Sequence, residues 1–228
     1  LPLVALYGLG NILGAGIYIL VGKVAGEAGY GTVLAFVRAM VIAGLTAFSY
    51  MELSGRYPVS ASVSVYLHEA FGKKWLSVGI GLAMVAAGIT SAATLAKGFA
   101  GYLSVLLPAP ELLASIGLLV VLGLIAAKGI GESAKLAGIF TLIEVAGLLL
   151  VVFVGRASLV QVDIGKLLTI DPAVGLSGLI GGTFLAFYAF IGFEDMVNIA
   201  EETKNPQRTM PLAILISLLV STVLYLLV

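Results

Sequence analysis

Two stretches decide how this sequence folds: GLGNILGAGIY at residues 8–18 and FYAFIGFED at residues 187–195. Each lies in an apolar run long enough for a helix. Each also carries glycine inside that run: Gly8, Gly10, Gly14 and Gly16 in the first, Gly192 in the second. Glycine costs a helix interior about 1 kcal/mol relative to alanine. The Gly14-Ala15-Gly16 step and Gly192 are therefore predicted breaks. Inside a bilayer, freed backbone groups are tolerated only where protein, water or a ligand satisfies them. Two interrupted helices thus imply a cavity with N–H groups offered by one half-helix and carbonyls by another. The N–H end suits a carboxylate and the carbonyl end an ammonium; together they suit a zwitterion. The competing reading of any one glycine is a close-packing position between membrane helices, and Gly8 is read that way.

Working outward, the composition is that of a membrane protein. Hydrophobic residues make up 61% of the 228 and charged residues 11%, against about 45–50% and about 25% in a soluble domain. Mean hydropathy is +1.16. Twelve basic residues balance twelve acidic ones, so no net field draws nucleic acid. The absence of cysteine excludes a disulfide scaffold, a thiolate metal site and a cysteine nucleophile. His68 is the single histidine and cannot supply a histidine metal cluster. No metal site, cofactor or catalytic residue is expected. The chain opens on Leu1 and closes on Val228 inside an apolar run, which reads as part of a longer protein, and no signal peptide is recognisable.

A bilayer core of about 30 Å takes roughly 20 apolar residues per helix. On that ruler residues 1–228 form one permease-like membrane domain with seven predicted spans, near 2–25, 32–55, 74–107, 112–128, 135–155, 175–202 and 210–228. Glu111 and Lys128 mark the ends of the short fourth span. Arg56, Lys73, Lys74, Lys128, Lys135, Lys204 and Arg208 fall on one side of the bundle; Lys23, Arg156 and Lys166 fall on the other. The positive-inside rule makes the first side cytoplasmic and puts the N-terminus inside. Spans 1 and 6, which carry the two breaks, are five spans apart, as two inverted five-helix repeats would place them.

Four segments carry a family resemblance: GNILGAGIY (10–18), AFSYMELSGRYPVSASVSVYLHEAFG (47–72), KGIGESAKLAGIFTLIEVAGLLLVVFVG (128–155) and AFYAFIGFEDMVNIAEETKNPQRTMPLAI (186–214). Together they resemble the amino acid–polyamine–organocation permeases, and within them the prokaryotic branch similar to cationic amino acid transporters. The resemblance covers nearly the whole chain. It implies an all-α integral membrane fold of the LeuT-like inverted-repeat type: the first five-helix repeat plus helices 6 and 7, with helices 1 and 6 interrupted. It also implies a substrate carboxylate on the amides of Gly14, Ala15 and Gly16, and an α-amino group on the carbonyls of Ile12, Tyr188, Ala189 and Ile191. Tyr18, Phe190 and Phe193 are the expected walls of the side-chain pocket. The partners implied are a small amino acid, a coupling proton in preference to sodium, and membrane lipid; the oligomeric state is left open. The location implied is a prokaryotic plasma membrane. Two residues depart from the pattern. Glu144 stands where some proton-coupled relatives place a lysine, and Arg38 lies in a stretch of span 2 that usually runs apolar.

A charge at mid-membrane costs at least about 2.5–3.5 kcal/mol on insertion scales, so each needs a partner or a pathway. Glu144, nine residues into span 5, reads either as a proton carrier or as a protonated group bonded to a neighbouring helix. Glu194, directly after the Gly192-Phe193 turn, is assigned to the substrate site, and Asp195 to capping. Lys97 reads as structural and Arg38 as internally paired. Glu52, Arg56, Glu201, Glu202, Lys204 and Arg208 suggest either an ion-pair gate between the ends of spans 2 and 6 or a solvated rim. His68 reads as interfacial, on a cytoplasmic helix. The leading function is proton-driven secondary transport of an amino acid by alternating access. Polyamine import is an alternative that would call for more cavity acids than Glu144 and Glu194, and an amino-acid-binding sensor is another. An enzyme is excluded by the lack of a nucleophile–base pair. Residues 1–228 on their own are not expected to transport.

Overall fold

The computed structural model describes residues 1–60, 62–159 and 163–228; of Ala15, Ser62, Ile130, Glu132, Ser158, Leu159 and Ile164 it describes the backbone only. Regular structure among the described residues is entirely helical: α1 Pro2–Ala28, α2 Thr32–Arg56, α3 Ser62–Phe71, α4 Lys74–Leu106, α5 Glu111–Ala126, α6 Ile130–Leu159, α7 Ile164–Leu167, α8 Gly175–Phe190 and α9 Pro206–Leu227. Short 3₁₀ segments occupy Gly29–Gly31 and Phe193–Ile199. By length and composition the helical stretches able to cross a membrane are Pro2–Arg56 (which holds α1 and α2), Lys74–Leu106, Ser133–Ala157, Gly175–Ile199 and Pro206–Leu227. Glu111–Ala126 is equally apolar but shorter. Its 16 residues span only about 24 Å at 1.5 Å per residue.

Prolines set several boundaries. Pro2 and Pro206 stand in the first turns of α1 and α9, where the missing N–H has no helical acceptor to lose. That placement starts α9 four residues earlier than the hydropathy suggested. Pro211 lies inside α9 and withholds the hydrogen bond that the Gln207 carbonyl would otherwise accept. Gly55 of α2 packs there; a Cβ on it would sit 3.4 Å from that carbonyl oxygen and 3.6 Å from Pro211 Cγ.

The core is built by α1, α2, α6, α8 and α9, with the α3–α4–α5 unit outside it. Helix α1 runs antiparallel to α8, since Gly8 neighbours Met196, Gly16 neighbours Ala189 and Gly182 neighbours Ala28. Helix α2 runs the other way along the same partners, with Phe36 on Phe190 and Tyr50 on Phe193. Its buried face is a stripe of small residues at four-residue spacing, Ala35, Ala39, Ala43 and Ala47, each at most 1% exposed. Such stripes let membrane helices approach closely.

The reversal between α1 and α2 is held by Asp171. This nearly buried carboxylate accepts the Tyr30 amide at 3.1 Å and the Ala173 amide at 2.9 Å. It thereby ties the Gly29–Gly31 corner to the entry of α8. On the opposite side of the bundle, α3 locks to α4 through Ser64 and Ser77, whose hydroxyls meet at 2.9 Å. Their bonds to each other's backbone carbonyls complete the pairing.

Candidate functional site

Gly14 alone within α1 leaves the helical region, at φ 33° and ψ −152°. That backbone suits glycine because a Cβ would be strained there. A Cβ at this position would meet nothing within 4 Å, so the kink borders open space. On α8 the helix ends at Phe190, Ile191 is extended (φ −65°, ψ 140°) and Gly192 takes φ 135° before the 3₁₀ segment begins. These two places touch. Gly192 lies against the Asn11 carbonyl, and a Cβ on Gly16 would come within 3.3 Å of Ala189 Cα.

Tyr225, near the end of α9, joins the two. Its hydroxyl lies 2.7 Å from the Ile12 carbonyl oxygen and 2.8 Å from that of Ala189. A phenol has one proton to donate, so it can satisfy only one of these carbonyls at a time. The residue is 3% exposed and is held by ring contacts to Phe190 (5.0 Å between centroids, 63°) and Phe36 (5.7 Å). The sequence reading missed Tyr225, although a signal was present. Ser217, Ser221 and Tyr225 recur every four residues in an apolar helix, the spacing of one helix face, and that face is buried.

The Tyr225 bridge carries a testable cost. Tyr225→Phe keeps the ring and removes the one proton the two buried carbonyls share, at about 1–3 kcal/mol for a group left unsatisfied. Thermal unfolding in detergent is expected to show that loss, and Tyr188→Phe, whose hydroxyl faces a cavity, is expected not to. An unchanged transition in Tyr225→Phe would show that the bridge contributes nothing.

The remaining expected site residues separate into groups. Gly14, Gly16, Ile12, Ala189 and Gly192 converge. The Tyr188 carbonyl accepts the Ile191 amide at 3.2 Å. The Ala15 side chain lies outside the described residues. Glu194 folds back on its own turn, its carboxylate accepting the Gly192 amide at 2.8 Å ahead of the 3₁₀ segment, and is half-buried. Phe190 and Phe193 are not pocket walls. They are 0% and 3% exposed and pack into the core, Phe193 edge-on to Tyr50 at 5.7 Å. The helix break turns both rings inward, which spacing alone could not show. Tyr18 donates to the backbone carbonyl of Glu144 at 3.0 Å, and Glu144 itself is half-buried.

A cavity of about 340 Å³ opens beside Gly16, between α1, α4 and α8, with Ile19, Lys23, Leu95, Phe184 and Tyr188 in its wall. Arg38 does not pair internally; it is exposed and has no ion-pair partner among the described residues. Among the described residues no ion pair joins the ends of spans 2 and 6 either. Arg56 pairs with Glu52 one turn away on the same helix, at 2.6 Å. The link between these ends runs through Ser60, whose amide donates to Glu201 at 3.1 Å and whose hydroxyl donates to the Asn198 carbonyl at 2.9 Å. His68 is exposed on α3. No group of three or more metal-ligating side chains occurs among the described residues.

Several apolar helices of membrane length, packed around a kinked α1 and a terminated α8, make this an integral, multi-pass membrane protein. The family model described as amino acid permease matches residues 4–228, and the chain belongs to that family. It is 36% identical to cationic amino acid transporter 2, vacuolar, of Arabidopsis thaliana over 100% of this chain. It is 31% identical to the branched-chain amino acid permease BcaP of Lactococcus lactis and 28% identical to the methylthioribose transporter of Bacillus subtilis, each over 96% of this chain. The chain spans 39%, 52% and 51% of the lengths of these three relatives. All are named as transporters or permeases, and none as an enzyme.

Proposed function

We propose that this chain is the substrate-binding half of a secondary active transporter that moves an amino acid across the membrane. The contact between the Gly14 kink and the Gly192 interruption carries the reading. It brings two antiparallel helices together where each leaves regular helical geometry, and Gly16 and Tyr188, next to the two breaks, border one cavity, which supports a substrate site there. The amides following Gly14 would receive the carboxylate. The carbonyls of Ile12 and Ala189, short of one proton between them, would receive the α-ammonium. In this reading the fold is the LeuT-like inverted repeat, with helices 1 and 6 interrupted and access alternating about the breaks. The basic-residue asymmetry supports an N-terminus on the cytoplasmic side of a prokaryotic plasma membrane. The relatives' names support an amino acid as substrate, but they divide between cationic and branched-chain side chains.

Proton coupling is assigned to Glu144, because it is a half-buried acid on a membrane-length helix, at the position whose backbone carbonyl accepts the Tyr18 hydroxyl. Intramembrane acids of this kind mark proton relays. The test is uptake by the full-length permease in proteoliposomes across the twenty amino acids, with and without an inward proton gradient. Gradient-stimulated uptake of one class is expected; a folded protein that takes up none would sink the proposal. Glu144→Gln is expected to lose the gradient stimulation while substrate exchange at equal pH continues. Retained stimulation would remove Glu144 from the coupling path.

A further inference from the structure

We infer that the cavity beside Gly16 accepts an uncharged, apolar side chain, and that Lys23 at its edge excludes cationic amino acids. The inference rests on the amino acid reading above and names the substrate class for that same site. Its volume, about 340 Å³, sits at the small end of ligand pockets, on the scale of one amino acid. Ile19 of α1, Leu95 of α4 and Phe184 of α8 give it an apolar wall, with Tyr188 next to the interruption.

The wall offers a cation no anionic partner among the described residues. Ser91 and Thr94 are neutral hydroxyls, the second donating to the Thr90 carbonyl at 2.8 Å. Lys23, exposed and without an ion-pair partner among the described residues, adds an uncompensated positive charge to the lining. No carboxylate among the described residues lines the space. Glu27, one turn beyond Lys23, lies against Gly181 of α8 instead. Glu194 is held by the Gly192 amide, and Glu144 lies on α6, outside the cavity wall.

A guanidinium or ammonium seated against this wall would find no lining carboxylate among the described residues, and whatever hydration it gives up there is lost without a paired charge, which is unfavourable. Repulsion from Lys23 adds to that cost. The faces of Tyr188 and Phe184 offer cation–π attraction of about 0.5–2 kcal/mol, too little to compensate. An apolar side chain meets none of these penalties. Selectivity then arises as a difference of affinities, with a repulsive element built in.

The test uses the full-length permease in proteoliposomes, measuring uptake of radiolabelled leucine against unlabelled leucine, arginine, lysine and glutamate. Leucine is expected to compete at least about tenfold more strongly than arginine or lysine, the factor that corresponds to about 1.4 kcal/mol. Lys23→Glu is expected to raise arginine competition relative to leucine by at least about tenfold, and Lys23→Gln by less. Stronger competition by arginine or lysine in the unmodified protein would overturn the inference. Preference for glutamate would also overturn it, by making Lys23 a receptor for an anion. An unchanged arginine-to-leucine ratio in both variants would remove Lys23 from selection. Absence of uptake for every amino acid, in folded protein, would instead overturn the transport reading on which this one stands.

Discussion

Gly16→Trp in the full-length permease is expected to abolish saturable amino acid uptake. The reason is local. A Cβ on Gly16 already comes within 3.3 Å of Ala189 Cα, a backbone atom that cannot swing aside as a side-chain tip could. The indole beyond it would have to occupy the cavity of about 340 Å³ that Gly16 borders. Overpacking costs typically about 1–3 kcal/mol, and blocking the substrate's own space removes transport altogether. A reduction of at least about 100-fold in initial uptake rate is expected, equivalent to about 2.8 kcal/mol of lost binding. Gly22→Trp, on the same helix with nothing within 4 Å of its Cβ position, is the control and is expected to keep transporting. Equal uptake by both variants would show that the α1 kink does not border the transport path.

The second large effect is on stability and belongs to Gly192. At φ 135° this residue is in a region that side chains disfavour, which costs about 1–3 kcal/mol on its own. Its Cβ would also collide with the Asn11 carbonyl and crowd the Ile12 amide. Relieving that collision means separating α8 from α1, and with it the two carbonyls that Tyr225 spans. Gly192→Val is expected to lower the midpoint of thermal unfolding in detergent strongly, with Gly192→Ala between it and the unmodified protein. Melting of Gly192→Val at the unmodified temperature would mean that the close approach at Asn11 is not needed by the fold.

Much of this architecture was readable before any coordinates, because it depends on signals carried by single residues. Long apolar runs place the helices, and the glycines of 8–18 and Gly192 mark where two of them were expected to break, whereas the start of α9 at Pro206 was not foreseen. Side-chain direction after a break is another matter. Phe190 and Phe193 follow each other across Gly192, and a helical projection fails where the helix stops, so their burial against Phe36 and Tyr50 could not be read from spacing. Tyr225 was hidden differently. Its meaning depends on which carbonyls lie opposite, and those come from residues 213 and 36 positions away in the chain. Arg56 and Glu52 show the reverse error. Their four-residue separation is the local pairing distance on a helix, yet their position near the ends of two spans suggested a pairing between helices.

The bond pattern at Asp171 has a mechanical consequence. By fastening the α1–α2 corner to the entry of α8, it makes the far ends of three helices a single stator. Motion about the breaks is then expected to fall to the opposite arms: Pro2–Leu13 ahead of the Gly14 pivot and Phe193–Ile199 beyond the Gly192 pivot. These arms lie side by side, with Met196 against Gly8. The serine of α9 that donates to the Ala5 carbonyl at 2.9 Å adds a third member to the moving side. Under the alternating access proposed above, opening would swing one coupled pair of levers, with the two glycines as its fulcrums.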